Sequence, residues 1–115
     1  MVRVHFDTCS VWAKGHAGQA NKGADIVCAS VSTLLYLLAT EVIRMDEEGL
    51  LMQKPVVRML PGDVCINASP RAAERKRLEY LFATTGRMFQ VLAQSYPDYV
   101  SYESGKTGEH KDSPT

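Results

Sequence analysis

The chain has no excess of charge of either sign: 13 of its 115 residues are lysine or arginine and 13 are aspartate or glutamate. A balanced chain lacks the basic footprint that binds nucleic acid or an anionic membrane surface, so we expect neither as its main partner. Long hydrophobic runs are scarce as well. The run Leu34–Ala39 is followed directly by Thr40 and Glu41, and this interruption predicts that no segment crosses a bilayer.

Cysteine is equally sparse. Cys9, Cys28 and Cys65 are odd in number and have no CxxC spacing, which predicts neither a disulfide framework nor a zinc site. The sequence has no phosphate loop, metal-ligand cluster or dinucleotide fingerprint, so no cofactor is expected. Because Met1–His5 does not have the composition of a signal peptide, we expect a cytoplasmic protein.

The apolar residues that are present follow two periods. Alternation predicts strands over Val2–Asp7, Val11–His16, Lys54–Leu60 and Val64–Ala68. Helical spacing predicts two helices, one from an N-cap at Asp25 to about Asp46 and one from Ser69-Pro70 to Pro97, and it leaves Asp98–Tyr102 open as a last strand. This order predicts a two-layer α+β sandwich, in which two helices cover one face of a mostly antiparallel sheet of four or five strands.

Two further segments are assigned from residue type. Leu60–Asp63 has the proline and glycine of a type II turn, and Ala17–Ala24 contains glycine and asparagine but no large apolar residue, which predicts a loop. Residues 1–102 are expected to form a single domain. Residues 103–115 have no large apolar side chain and are expected to be a disordered polar tail.

The residues able to do chemistry cluster between Gly15 and Ser32. His16 ends the second predicted strand, and Cys28 lies in the first turn of the first predicted helix, three positions after Asp25. A thiol and an imidazole together make a nucleophile and its base, and a helix N-terminus favours the thiolate. On residue type alone, however, a cysteine among apolar neighbours is more often a small core residue.

Two neighbours of Cys28 have alternative roles. Asp25 either caps the helix, which N-cap preferences favour, or orients the His16 imidazole. Ser32 lies one turn after Cys28 on the same side of the helix. Its hydroxyl either donates back to the Cys28 carbonyl or shapes the floor of a pocket.

The motif G-H-A at residues 15–17, followed by G-x-D-I-V-C-A-x-V-S at residues 23–32, resembles that of the ribosomal-processing cysteine proteases called Prp. The order of strands and helices over residues 2–102 is similar as well. Members of that family remove a short N-terminal extension from the large-subunit ribosomal protein numbered twenty-seven, and they are homodimers. The resemblance implies that a ribosomal protein precursor is the substrate. It also implies the following roles: His16 as base, Cys28 as nucleophile, and Gly15, Asp25 and Ser32 as supporting site residues.

The distribution of basic residues leaves a second class of function open. Arg71, Arg75, Lys76 and Arg77 cluster at the predicted start of the second helix. Such a run is most often a solvated helix face. Its functional interpretation is a non-enzymatic, ribosome-associated or RNA-binding small domain, although no aromatic residues interleave with the cations as they do in many single-strand binding surfaces.

Overall fold

The computed structural model describes residues 1–16 and 22–105, with side chains described over residues 1–16 and 26–105. Its elements, in chain order, are β1 (Val2–Asp7), β2 (Ser10–Lys14), α1 (Lys22–Glu47), β3 (Val56–Leu60), β4 (Asp63–Asn67), a short 3₁₀ helix (Ala72–Glu74), α2 (Arg75–Ser95) and β5 (Val100–Ser104). This order confirms the predicted α+β class, and the last strand that the pattern left open is present.

The five strands form one sheet in the order β3-β4-β2-β1-β5. Every neighbouring pair is antiparallel except β1 and β5, which are parallel because β5 returns to the sheet after α2. Strand β2 pairs with both β1 and β4, so Lys14 at its end lies opposite Asp63 at the start of β4. The sheet order therefore brings the end of β2 next to the turn between β3 and β4.

The core lies between the two helices and one face of the sheet. Alternate strand residues such as Val4, Val11 and Ile66 are buried there, as the period-two pattern predicts. Gly86 interrupts the apolar face of α2 for a packing reason. A Cβ on Gly86 would lie 3.4 Å from the ring of Phe6 and 3.3 Å from the hydroxyl of Tyr102, so this position accepts only a very small residue.

Helix α1 buries a narrower stripe than the sequence suggests. Apolar residues at helical spacing, such as Val27, Leu35 and Val42, are buried, but four other large apolar residues of the helix are 44–59% exposed. These exposed residues are Ile26, Tyr36, Leu37 and Ile43.

The short apolar run does not by itself exclude a membrane-spanning helix. Over Ile26–Glu47, α1 is long and apolar enough to cross a bilayer by length and composition alone. Of its most apolar stretch of 18 residues, 33% is buried. The sequence argument searched for an uninterrupted apolar run, whereas a helix can contain Thr40 and Glu41 and still be apolar on average. Core helices of soluble proteins also meet this criterion, so length and composition do not decide the environment of α1.

Several predicted boundaries are wrong by one to five residues. The largest error is at α2, which begins at Arg75 rather than at Ser69-Pro70. Pro70 instead pairs with Leu51 in an isolated β-bridge, and the Ser69 carbonyl accepts a hydrogen bond of 2.8 Å from the amide of Met52. These contacts with the segment after α1 keep the chain extended where local sequence predicts a helix start.

The strand boundaries shift less. Strand β2 ends at Lys14 rather than at His16, β3 begins at Val56 rather than at Lys54, and β4 runs one residue earlier than predicted. Strand β5 continues to Ser104, so residues 103 and 104, which the sequence assigned to the tail, belong to the sheet. Residue 105 follows the strand, and residues 106–115 of the predicted tail lie outside the described residues.

Helix α1 begins at Lys22, three residues before the predicted cap. Asp25 is therefore within the first turn of the helix and is not its N-cap, and the predicted loop is shorter than Ala17–Ala24. Residues 17–21 lie outside the described part of the chain, as does the side chain of Asp25. At the other end the helix stops at Glu47, and Gly49 follows with a φ of +75°, as expected for a terminating glycine.

Candidate active site

A cavity of about 360 Å³ lies between α1, the end of β2 and the β3–β4 hairpin. Four of the five residues singled out from the sequence line it, namely Gly15, His16, Cys28 and Ser32. Its volume is within the range of small-molecule and peptide side-chain pockets. The fold therefore brings the thiol and the imidazole to one concave site.

Cys28 reaches the cavity from the side of α1. It is partly buried and packs against the hydrophobic core. Ser32 and Tyr36 also line the cavity and follow Cys28 at intervals of four residues, so the helix places the three side chains along one face. Tyr36 was not predicted as a site residue, although its spacing from Cys28 could have identified it.

The early start of α1 changes the electrostatic argument for Cys28. With Lys22 as the first helical residue, Cys28 is in the second turn rather than the first. The unpaired N–H groups belong to the first turn, and the effect of the helix dipole decreases beyond it. Activation of the thiol by the helix N-terminus, which the sequence predicted, therefore has no support in this geometry.

Ser32 does not make the backbone hydrogen bond that was one of its two predicted roles. That type of bond is made by its neighbours: the Ser30 hydroxyl donates to the Ile26 carbonyl at 2.9 Å, and the Thr33 hydroxyl donates to the Ala29 carbonyl at 2.8 Å. The exposed Ser32 side chain faces the cavity instead. The pocket role is the one consistent with this placement.

Gly15 brings His16 to the cavity through a conformation that only glycine adopts readily. Its φ is +97°, and a Cβ at this position would lie 2.3 Å from the carbonyl oxygen of Met1. Its amide donates a hydrogen bond of 3.0 Å to the carbonyl of Gly62 in the β3–β4 turn. Gly15 therefore links the end of β2 to that turn.

His16 is exposed and its ring lies directly against Gly62. Within the described ranges, no hydrogen bond joins the imidazole to the Cys28 thiol or to another side chain. Catalytic hydrogen bonds are often long or absent before substrate binds, so this resting geometry is compatible with a nucleophile and base.

One carboxylate and two cations form an ion-pair cluster at the rim of the cavity. The Asp63 carboxylate accepts from the Lys14 ammonium at 2.5 Å and from the Arg58 guanidinium at 3.2 Å. The hydrogen bond from Lys14, followed by that from Arg58, holds the pKa of Asp63 below its usual value. Asp63 therefore stays ionised and tied to β2 at neutral pH.

Sequence reasoning missed the contribution of the β3–β4 hairpin, which supplies six lining residues from Met59 to Val64. The Pro61-Gly62 pair marked a turn, and Gly62 has the positive φ, +71°, that a type II turn requires. Its position beside His16 depends on the sheet order, for which the local sequence carries no signal. Among the residues described, no group of three or more His, Cys, Asp and Glu side chains is arranged to hold a metal ion.

The basic cluster near α2 lies apart from the cavity and is partly neutralised. Arg77 and Glu74 form an ion pair at 2.6 Å, and Arg75 lies 3.9 Å from Glu79. The Arg71 guanidinium donates to the carbonyl of residue 49. These contacts are those of a solvated helix start, and no observation on this surface favours the RNA-binding alternative.

Similarity to known proteins extends over nearly the whole chain. The sequence model of a family described as "Cysteine protease Prp" matches residues 1–101. The ribosomal processing cysteine protease Prp of Mycoplasma pneumoniae is 24% identical over 119 aligned residues, which cover 95% of this chain and all of that protein.

Solved structures agree in fold. A Staphylococcus aureus structure, described as an essential ribosomal processing protease Prp with a covalently linked product peptide, matches with a TM-score of 0.67 and 20% identity, covering 91% of this chain and 100% of that one. The same protease with a substrate peptide matches with a TM-score of 0.66, 19% identity and the same coverage. A Streptococcus mutans protein matches with a TM-score of 0.65 and 25% identity, covering 90% of this chain and 93% of that one.

Proposed function

The chain belongs to the Prp family of cysteine proteases, and we propose that it cleaves its substrate with Cys28 as nucleophile and His16 as base. The observation that carries this proposal is that both side chains line one cavity of about 360 Å³. A thiol needs a neighbouring base to attack a peptide carbonyl efficiently. His16 supplies an imidazole at the cavity that Cys28 lines.

The proposed reaction runs in two steps. His16 takes the thiol proton as the Cys28 sulfur attacks the scissile carbonyl carbon, and the imidazolium then protonates the leaving amine as the C–N bond breaks. The resulting thioester is hydrolysed by water, which releases the new carboxylate and restores the thiol. Because no hydrogen bond joins the two groups at rest, we expect the bound peptide to bring them together.

We propose as substrate the precursor of the large-subunit ribosomal protein numbered twenty-seven, from which the enzyme would remove the N-terminal extension. The support is the family match together with the name of the Mycoplasma pneumoniae relative, a ribosomal processing protease. A substrate made in the cytoplasm would place the enzyme there. The free thiols of Cys9, Cys28 and Cys65 are consistent with a reducing compartment.

The test is cleavage of that precursor by the wild-type protein and by Cys28→Ala, His16→Ala and Cys65→Ala. Cys65 lies on β4 outside the cavity lining, so its variant is a matched control for loss of a cysteine. We expect a loss of at least about 1,000-fold in kcat/KM for the first two variants and none for the control. Equal cleavage by all four proteins would refute the dyad, and cleavage of an unrelated peptide at the same rate would refute the substrate.

We also propose that the protein is a homodimer joined through α1. The half-exposed Ile26 and Leu37 lie on one stripe of this helix, and contact with a second copy would remove them from water. Light scattering should give twice the monomer mass for wild type and the monomer mass for Leu37→Lys. Tyr80→Lys, a change at an exposed residue of α2, should remain dimeric. A monomeric wild type would contradict the proposal.

A further inference from the structure

The contact between His16 and the β3–β4 turn is closer than a side chain at the turn would permit. A Cβ added to Gly62 would lie 2.6 Å from Nε2, 2.8 Å from Cε1 and 3.3 Å from Cδ2 of the His16 ring. Three ring atoms therefore pack on the bare α-carbon of Gly62. Any other residue at this position must displace either the imidazole or the turn.

The turn that carries Gly62 is tied to the strand that leads to His16. The Gly15 amide donates to the Gly62 carbonyl at 3.0 Å, and one residue earlier Lys14 is ion-paired with Asp63. Arg58 on β3 binds the same carboxylate from the other side of the hairpin. Backbone and side-chain contacts thus hold the turn in a constant position relative to the backbone of His16.

A catalytic base is usually oriented by a third hydrogen-bonding group. Within the part of the chain that is described, no side chain donates to or accepts from the His16 ring. The carboxylate of the turn, Asp63, is already engaged by Lys14 and Arg58. Among the described residues, which do not include the Asp25 side chain, packing against Gly62 is the contact that constrains the orientation of the ring.

We propose that Gly62 is a positioning residue for His16: the absence of a side chain in the β3–β4 turn lets the imidazole lie against the backbone in the orientation from which it serves Cys28. This inference rests on the proposed dyad. Beyond the dyad itself, it states that a steric contact with the β3–β4 turn sets the orientation of the His16 ring. Even a small displacement of the His16 ring should lower the rate of cleavage, because proton transfer needs near-ideal alignment of the two groups.

The chain offers a matched control in Gly49. Its φ of +75° is close to the +71° of Gly62, and a Cβ there would meet nothing within 4 Å. Gly62→Ala and Gly49→Ala therefore carry the same kind of backbone strain, and only the former adds a clash with the imidazole. We expect kcat/KM to fall about 100-fold in Gly62→Ala and to stay at the wild-type value in Gly49→Ala, with similar melting temperatures for the two variants.

A second readout does not depend on cleavage. The Cε1–H resonance of His16, assigned by its loss in His16→Ala, should shift in Gly62→Ala and stay in place in Gly49→Ala.

A double variant tests whether the turn acts through His16. In a His16→Ala background, Gly62→Ala should cause no further loss of activity. A further loss there would mean that the turn acts on another group, and the positioning role would be wrong.

The two proposals fail in distinguishable ways. If Gly62→Ala matches Gly49→Ala in both rate and His16 resonance, Gly62 does not position the ring, although the dyad stands. If His16→Ala cleaves as fast as wild type, the proposed dyad is wrong, and with it the catalytic meaning of this contact. Should Gly62→Ala not fold, a nuclear Overhauser effect between the Cε1 proton of His16 and the α-protons of Gly62 in the wild-type protein tests the contact itself, and its absence contradicts the inference.

Discussion

His5 lies on β1 and His16 lies two residues beyond the end of the neighbouring β2, yet their surroundings differ in almost every respect. His5 is 1% exposed, and its ring nitrogens lie 3.0 Å from a Glu103 carboxylate oxygen and 3.2 Å from the carbonyl of Gly105. It also stacks on Trp12, with ring centroids 5.6 Å apart. His16 is exposed, at the cavity, with a glycine against its ring.

Cys9 and Cys28 are both partly buried, but their surroundings also differ. Cys9 is in the β1–β2 turn, and burial, followed by the charge of Glu79, raises its pKa from the usual 9.0 to about 11. Cys28 lines the cavity beside Ser32. Buried and fully bonded groups maintain a fold, whereas polar groups left unbonded in a cavity are available to a ligand. The difference separates a structural region of the sheet from a reactive one.

The largest expected effect that separates the two regions comes from truncating each histidine. His16→Ala should reduce kcat/KM at least about 1,000-fold with little change in the free energy of unfolding, because the side chain is exposed. His5→Ala should lower that free energy by about 1–3 kcal/mol, since it removes a buried, hydrogen-bonded ring, and should retain activity in the folded fraction. Urea titration measures the free energy of unfolding, and cleavage assays measure kcat/KM. A stable but inactive His5→Ala would contradict the assignment of His5 to the fold rather than to catalysis.

A smaller effect should appear in thiol alkylation at neutral pH. Since the pKa of Cys9 lies about two pH units above its usual value, its thiolate fraction should be about 100-fold lower than that of an unshifted thiol. Its rate should then rise tenfold per pH unit up to about pH 11. Cys28 should react faster at pH 7.5, and mass spectrometry of labelled peptides distinguishes the two sites. Labelling of Cys9 at the rate of Cys28 would show that burial does not protect it.

The core of this molecule could be predicted from local patterns. The alternation of Val2, Val4 and Phe6 and the helical stripe through Leu35 and Val42 both match the buried residues. Such patterns are reliable because backbone geometry alone places neighbouring residues of one element on a common face. The type II turn and the glycine after α1 were predictable for a similar local reason, since each requires a positive φ.

The errors arose where distant segments meet. Local sequence predicts a helix start at Ser69-Pro70, but the bridge between Leu51 and Pro70 keeps that segment extended. No local pattern marks Glu103 as a partner of His5, yet the parallel pairing of β1 with β5 brings the two together from 98 positions apart in sequence. In the site, the motif identified His16 and Cys28 as a pair, but the helix start on which their activation argument depended was placed three residues too late.

By itself, therefore, the sequence determined which faces are apolar, the order of the elements and, through one motif, the family, because these depend on residues close together in the chain. Tertiary structure alone decided what surrounds the candidate base. Gly62 meets His16 because β4 pairs with β2, and that pairing depends on the burial of a whole sheet face rather than on any local signal.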